Sequence, residues 1–259
     1  MIDVIRVPLP KDKLRAMPKD ERSLLLLLGH AANQITFLSK MIVFSTNRTP
    51  EHQPEQQISG AQSQMLARYA IAVIDETWKF MSRDFLGTPL GKEFVPKLNP
   101  TGTAAFDVLR KSFASNLLSK IRNEHVFHFP KADVMDKAFQ AAADNPAWDG
   151  DWNWWFSPYT MNTFYFMSDV VFLHGLLQTV GETDLLVGYQ KVMTEVQAVS
   201  QQMTTFIYAL TEALLAKHFA PELVAQIHSK IDNAPSIMDV WIPFFVEIPD
   251  EDTAQPDNP

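Results

Sequence analysis

The stretch LSKIRNEHVFHFP, residues 118–130, concentrates an arginine, a carboxylate, an amide and two histidines directly before a proline. Upstream of it, apolar side chains recur every three or four positions, as on one face of a helix; they are Phe106, Leu109, Phe113, Leu117 and Ile121. Pro130 disfavours helical geometry at the residue before it, so we expect this helix to end near His128. The polar cluster should therefore lie at a helix C-terminus, where partial negative charge favours cations such as Arg122 or protonated His125.

The spacing of these side chains limits how they can act together. Arg122 and His125 are three residues apart and Glu124 and His128 are four apart, so each pair can share a helix face. Arg122 and His128 are six residues apart, which places them about 240° apart around a helix of 3.6 residues per turn. They can converge on one ligand only if the helix breaks between them or if a second copy of the chain supplies one of the two.

The order Arg122, Asn123, four further residues and His128 resembles the R-x(4–6)-H signature of the HEPN superfamily, in which a polar residue, often asparagine, follows the arginine. The resemblance covers residues 101–130 and their helical context. It implies a helical bundle and, as in many members, a metal-independent ribonuclease of toxin–antitoxin, abortive-infection or CRISPR systems. In such members the arginine and histidine pairs usually meet across a homodimer. Other members have lost cleavage and bind nucleotides or act as scaffolds.

A ribonuclease of this kind would act on RNA without a metal or other cofactor. His128 would be the general acid or base, because histidine titrates near neutrality. Arg122 would bind the phosphate through two parallel hydrogen bonds. Asn123 would orient the pair, and Glu124 and His125 would tune it. The same resemblance implies a homodimer and, as a further partner, an antitoxin or an assembly subunit.

Other interpretations of the motif stay open at this point. The chain can have a HEPN-like fold without cleavage and act as a nucleotide-binding or scaffold protein. Arg122 can instead pair with an acid in a purely structural helix-end network, with both histidines bound to backbone carbonyls. An interaction protein that uses its acidic tail and tryptophan-rich loop is equally compatible with the sequence.

A metal enzyme built inside a helical bundle is a further alternative. Its candidate ligands are His30, His125 or His128, and His174, together with Glu76 and Glu124. Histidine and carboxylate ligands that converge in a bundle core bind zinc, iron or nickel. Neither HExxH nor Glu-x-x-His spacing occurs in the chain, which disfavours this alternative.

Composition limits the class of protein. The absence of cysteine excludes disulfides, thiolate metal sites and cysteine nucleophiles, and it is consistent with a cytoplasmic location. The net charge of −8 argues against a protein that coats nucleic acid in general. The motif region is nevertheless locally basic, with six basic and two acidic side chains between residues 92 and 122. The longest uninterrupted apolar run near the N-terminus, Leu24 to Leu28, is far shorter than the ~20 residues of a membrane span, so no membrane partner is expected.

The pattern along the chain predicts an all-α fold, a multi-helix bundle with a very long helix in its C-terminal half and an extended C-terminal arm. We expect an extended lead-in over residues 1–22, one helical domain over 23–249 and a disordered acidic tail over 250–259. Inside the domain, the pattern predicts a central buried helix over 23–45 that carries His30 as a core histidine, and a helix over 60–85 capped by Ser59. The motif helix should begin at Thr101 or Thr103. It is followed by an aromatic plug over 145–159, a long helix over 183–219 and an arm over 237–249.

A homodimer is the oligomeric state predicted by the angular separation of Arg122 and His128. The long helix or the motif helix should lie at its interface. Sedimentation velocity at concentrations well above micromolar should therefore give the mass of two chains, and a monomer under these conditions would contradict the prediction.

Overall fold

The structure, a computed structural model, describes residues 1–115, 117–126, 130–148 and 152–247. The helices of these residues are α1 Lys11–Ala16, α2 Lys19–Phe44, α3 Gln53–Met81, α4 Pro89–Phe94, α5 Pro100–Ala114, α6 Leu117–His125, α7 Ala132–Ala143, α8 Phe166–Val180, α9 Leu185–His218 and α10 Ala220–Val224. The strands are β1 Ile2–Arg6 and β2 Ile227–Ile231. The all-α prediction is confirmed.

Helix α9 is the element on which most of the bundle packs. It contacts α2, α3, α5 and α8, and its apolar side chains recur at the spacing of one helix face. The buried members of this face include Val192, Val196, Val199, Met203, Phe206, Leu210 and Leu214. The very long helix expected from the sequence is therefore present, because one apolar stripe of this length can serve several neighbouring helices.

Helix α2 is more exposed than its apolar sequence predicts. Leu28 and Ile35 are fully buried against the core, but Leu26 and Phe37 are 61% and 62% exposed on the opposite side. His30 lies on the exposed side as well, so the expectation of a buried core histidine is wrong. The apolar residues of α2 extend around more of the helix surface than the one face that packs against α3 and α9.

Helix α3 begins seven residues before the predicted Gly60. The carboxylate of Glu55 accepts hydrogen bonds from the backbone amides of Glu51 and His52, at 2.9 and 3.3 Å, and Pro54 lies in the first turn, where its fixed φ suits a helix start. Ser59 is not the cap. It is buried inside the helix and donates a hydrogen bond to the carbonyl oxygen of Ser45.

The predicted motif helix is divided into two helices. Helix α5 ends at Ala114 and α6 begins at Leu117, although the apolar period runs through both. At the division the backbone amide and the hydroxyl of Ser115 both bind the carbonyl oxygen of Ser112, which tightens the last turn of α5. Helix α6 packs on α3 and α8.

The N-terminal segment is more ordered than an extended lead-in. Strand β1 pairs with β2 in an antiparallel ribbon, with Ile2 opposite Ile231, and α1 and the first turn of α2 follow before residue 23. All ten strand residues are exposed. The strand partner lies more than 220 positions away along the chain, so local pattern could not reveal it.

The C-terminal arm packs on the bundle over the part of it that the structure describes. The backbone amide of Ile242 donates to the carbonyl oxygen of Phe44 at 2.9 Å. Further along, the amide of Asn162 exchanges two hydrogen bonds with the backbone of Val246, at 2.7 and 3.1 Å. Phe244 and Phe245 pack against a second apolar cluster formed by α7, α8 and the start of α3.

The aromatic segment is a plug only in part. Trp148, Trp152 and Trp155 are partly buried against this second cluster, as the prediction required. Trp154, Phe156 and Tyr159 are 52%, 69% and 40% exposed, so the prediction of a buried plug is wrong for these three. Among the described residues no single helix is long and apolar enough to cross a membrane; α8 and α9 pass that test only as a pair, and they are bent by 72° at their junction.

Gly102 permits the close approach of α5 to α9. A Cβ atom at this position would lie 2.3 Å from the Cβ of Ala209, which neither backbone can easily avoid. We expect Gly102→Ala to lower the free energy of unfolding by about 1–3 kcal/mol, as overpacking does. Denaturant unfolding monitored by circular dichroism measures the change.

Gly29 provides the matched control. It lies inside α2 where a Cβ would meet no atom within 4 Å, so Gly29→Ala should raise the free energy of unfolding by up to about 1 kcal/mol through helix propensity. Shifts of the same sign in the two variants would contradict the close approach of α5 and α9.

Candidate functional site

The side chain of Arg122 lies in the last turn of α6 and contacts carboxylates of α3. Its Nη2 donates to Oε1 of Glu76 at 2.6 Å, and its Nε lies 3.9 Å from Oδ2 of Asp75. Its Nη1 donates to Oδ1 of Asn123 at 2.8 Å. Glu76, which the sequence offered as a candidate metal ligand, is half exposed and binds Arg122 instead.

Asp75 is the part of this site that the sequence analysis missed. It is 1% exposed although it carries a carboxylate. Ser119 of α6 donates to its Oδ1 at 2.5 Å, and Nζ of Lys79 lies 2.6 Å from its Oδ2. A signal was available in the sequence, because Asp75 follows the buried Ile71 by four positions and therefore shares its helix face.

The acidic and basic groups of this cluster balance. Asp75 and Glu76 contribute two negative charges, and Lys79 and Arg122 contribute two positive charges. The local basicity of the motif region is therefore offset here by α3, which the charge count along residues 92–122 could not register. We call these four residues with Ser119 and Asn123 the Arg122 network.

His128 lies outside the described residues, so its distance from Arg122 and its predicted role as acid or base stay predictions. Helix α6 itself ends at His125, three residues before the predicted end. The helix therefore does not continue from Arg122 to His128, and the angle of about 240° for an unbroken helix no longer constrains the pair.

His125 contacts a different helix from Arg122. Its Nε2 lies 2.7 Å from the Thr179 hydroxyl on α8, and that hydroxyl lies 2.9 Å from the carboxylate of Glu124. The ring is buried, and a Cβ built at Gly175 would lie 3.3 Å from its Cε1. Burial lowers the pKa of His125, and the nearby Glu124 carboxylate opposes this only in part. A neutral ring bound between α6 and α8 is thus a packing element of the helix pair.

The histidines proposed as metal ligands do not converge within the described residues. His30 is exposed on α2, whereas Nε2 of His174 lies 3.1 Å from Nε1 of Trp148, the donor. Burial lowers the pKa of His174, which keeps the ring neutral and able to accept this bond. In the described part of the chain, no group of three histidine or carboxylate side chains is placed to hold a metal ion.

A further ion pair between helices, Arg68 with Asp169, joins α3 to α8. Nη2 of Arg68 donates to Oδ1 of Asp169 at 3.3 Å, and its guanidinium also lies over the ring of Phe172 at 5.6 Å. Burial raises the pKa of Asp169, while Arg68 acts in the opposite direction. This pair, too, was not anticipated from the sequence.

The chain was compared with models of protein families, with curated proteins and with solved structures, and none of the three comparisons gives a match.

His125 should make the stability of the fold sensitive to mild acid. Because burial lowers its pKa in the folded chain, the unfolded chain takes up the proton first when the pH falls below about 6.5. The free energy of unfolding should therefore be largest above this pH and decrease as the pH falls towards the lower pKa of the folded state. His174 contributes with the same sign.

Melting temperatures measured between about pH 7.5 and 5 test this on the native chain and on His125→Gln, whose amide can still bind Thr179. The variant should show a shallower decrease. An equally steep decrease in both proteins would show that other groups cause the acid sensitivity.

Proposed function

We propose that this chain is a HEPN-like helical scaffold or interaction protein, in which Arg122 holds α6 on α3 and does not bind the phosphate of RNA. The observation that supports this most directly is the ion pair between Arg122 and Glu76 at 2.6 Å, next to the buried carboxylate of Asp75. Contacts to the phosphates of nucleic acid come mainly from lysine and arginine, and their positive charge supplies most of the affinity. Among the described residues, the Arg122 network combines two cations with two anions.

A phosphate group would also meet direct opposition at this position. To bind the Nη atoms of Arg122 it would have to displace Glu76 and approach Asp75, and both are anions. Moving Arg122 away would leave the buried Asp75 with less compensating charge, which is unfavourable because a buried charge depends on its partners. The arrangement therefore favours a structural role for the guanidinium.

The proposal includes a homodimer in the cytoplasm. Exposed apolar side chains on α9 support a partner surface there, since Leu186, Val187 and Tyr208 are 62%, 50% and 71% exposed. Apolar side chains that lie on one long helix can pack against a second helix of the same kind. The acidic net charge is compatible with a protein partner and disfavours a general affinity for nucleic acid.

A metal-independent endoribonuclease is the second candidate. It is favoured by the contact of Arg122 with Asn123 at 2.8 Å, which keeps the two leading residues of the motif together at the end of α6. In this alternative a substrate phosphate replaces Glu76, and His128 transfers the proton.

One set of proteins distinguishes the two functions. The native chain, Arg122→Lys and His128→Ala are incubated with a fluorescent single-stranded RNA in EDTA, and their melting temperatures are recorded. Under the scaffold proposal no protein cleaves RNA, and Arg122→Lys unfolds several degrees earlier, which corresponds to about 1–3 kcal/mol for a lost charged hydrogen bond.

Lys120→Gln is the matched control, because Lys120 is an exposed cation on the same helix but outside the Arg122 network. It should change the melting temperature by less than a degree or two, as surface substitutions do. The scaffold proposal is contradicted if the native chain cleaves RNA and if His128→Ala and Arg122→Lys reduce the rate by about 10²-fold or more at unchanged stability.

A further inference from the structure

A cavity of about 320 Å³ lies between the first half of α3, the first half of α8 and the start of α9. It is separate from the Arg122 network, and none of that network's residues lines it. Its wall is mainly apolar, with aliphatic side chains, three aromatic rings, three glutamine amides and one carboxylate. Sites for small molecules usually have this character and a volume of about 300–1,000 Å³.

The three aromatic rings of the wall are Trp148, Phe166 and Tyr189. Nε1 of Trp148 donates to Nε2 of His174, so this polar atom is already hydrogen-bonded inside the protein. Trp148 also makes an edge contact with Phe166 at a centroid distance of 5.8 Å and an angle of 67°. The three rings offer apolar surface, on which another aromatic ring packs well.

Asp169 supplies a hydrogen-bond acceptor to the cavity, and the positive charge of Arg68 balances its negative charge. Its carboxylate lines the cavity, and its Oδ1 accepts from Nη2 of Arg68 at 3.3 Å, so the pair is neutral as a whole. Within the described residues no hydrogen bond reaches Oδ2 of Asp169, which leaves that atom able to accept one from a ligand. A charged ligand would have to lose its hydration without a counter-charge to replace it, which is strongly unfavourable.

We propose that this cavity binds a small, neutral aromatic molecule that carries one hydrogen-bond donor. The ring of the ligand lies among Trp148, Phe166 and Tyr189, and its donor binds Asp169. The site is separate from the Arg122 network, which contributes no residue to it, although Leu186 of the proposed partner surface on α9 also lines the cavity.

Isothermal titration calorimetry of the full-length chain with indole and with benzofuran tests the proposal. The two molecules have nearly the same shape, but only indole has an N–H donor. Indole should bind saturably with one site per chain, and benzofuran should bind about tenfold more weakly, which corresponds to one hydrogen bond.

Gly60 allows the cavity to be filled without disturbing the core. It lies on α3 in the cavity wall, and a Cβ there would meet no atom within 4 Å. Gly60→Phe should therefore abolish indole binding at an unchanged or higher melting temperature. Gly29→Phe is the matched control, since Gly29 also has open space around it but lies on α2, away from the cavity, and this variant should bind indole as the native chain does.

Three results would contradict the proposed binding site in part or in full. The site is refuted if the native chain shows no saturable binding of indole at millimolar concentration. It is also refuted if folded Gly60→Phe binds indole as well as the native chain. Equal affinities for indole and benzofuran would overturn the assignment of Asp169 as the acceptor.

Discussion

The burial of Asp75 is the constraint on which the interpretation of this chain depends. A carboxylate that is 1% exposed must be compensated by hydrogen bonds and positive charge, because removing an ion from water without such partners destabilises the folded state by several kcal/mol. Ser119 provides a hydrogen bond to Oδ1 of Asp75, and Lys79 and Arg122 provide positive charge 2.6 and 3.9 Å from its Oδ2, which accepts no hydrogen bond from the described residues; two of the three residues belong to α6. The residue that first attracts attention as a phosphate ligand is therefore directed towards the interior by a neighbouring helix.

The same constraint explains how α6 is fixed between two helices. Its Arg122 and Ser119 bind α3, and its His125 binds Thr179 on α8. A helix of nine residues is too short to be stable alone, so these contacts and the burial of its apolar side chains must hold it in place. Much of the polar chemistry in the motif is consequently used for tertiary structure.

Periodic patterns made the large elements of the fold predictable. The spacing of apolar residues along α9 identified a helix of nearly the correct length, and the prolines and aromatic residues after position 235 indicated an arm, which packs on the bundle. The same reasoning failed for α2, where the run of leucines is wider than the face that neighbours cover. The same reasoning also predicted α5 and α6 as one helix, because the apolar period continues beyond the residue at which α5 ends. The hydrogen bond from the Ser115 hydroxyl to the Ser112 carbonyl oxygen marks that end. The spacing of Asp75 from Ile71 indicated a buried face, but Asp75 was missed because its partner Ser119 lies on α6, more than 40 residues later in the chain.

A double-mutant cycle between Asp75→Asn and Arg122→Gln tests the central claim most directly. Asp75→Asn preserves the side-chain volume, and its amide keeps an oxygen that can accept the hydrogen bond from Ser119. The account predicts that the two changes in the free energy of unfolding are coupled by about 1 kcal/mol or more, because Arg122 is stabilised by the carboxylate that Asp75→Asn removes. Additive changes, with a coupling below about 0.3–0.5 kcal/mol, would contradict it and would leave Arg122 available for another role.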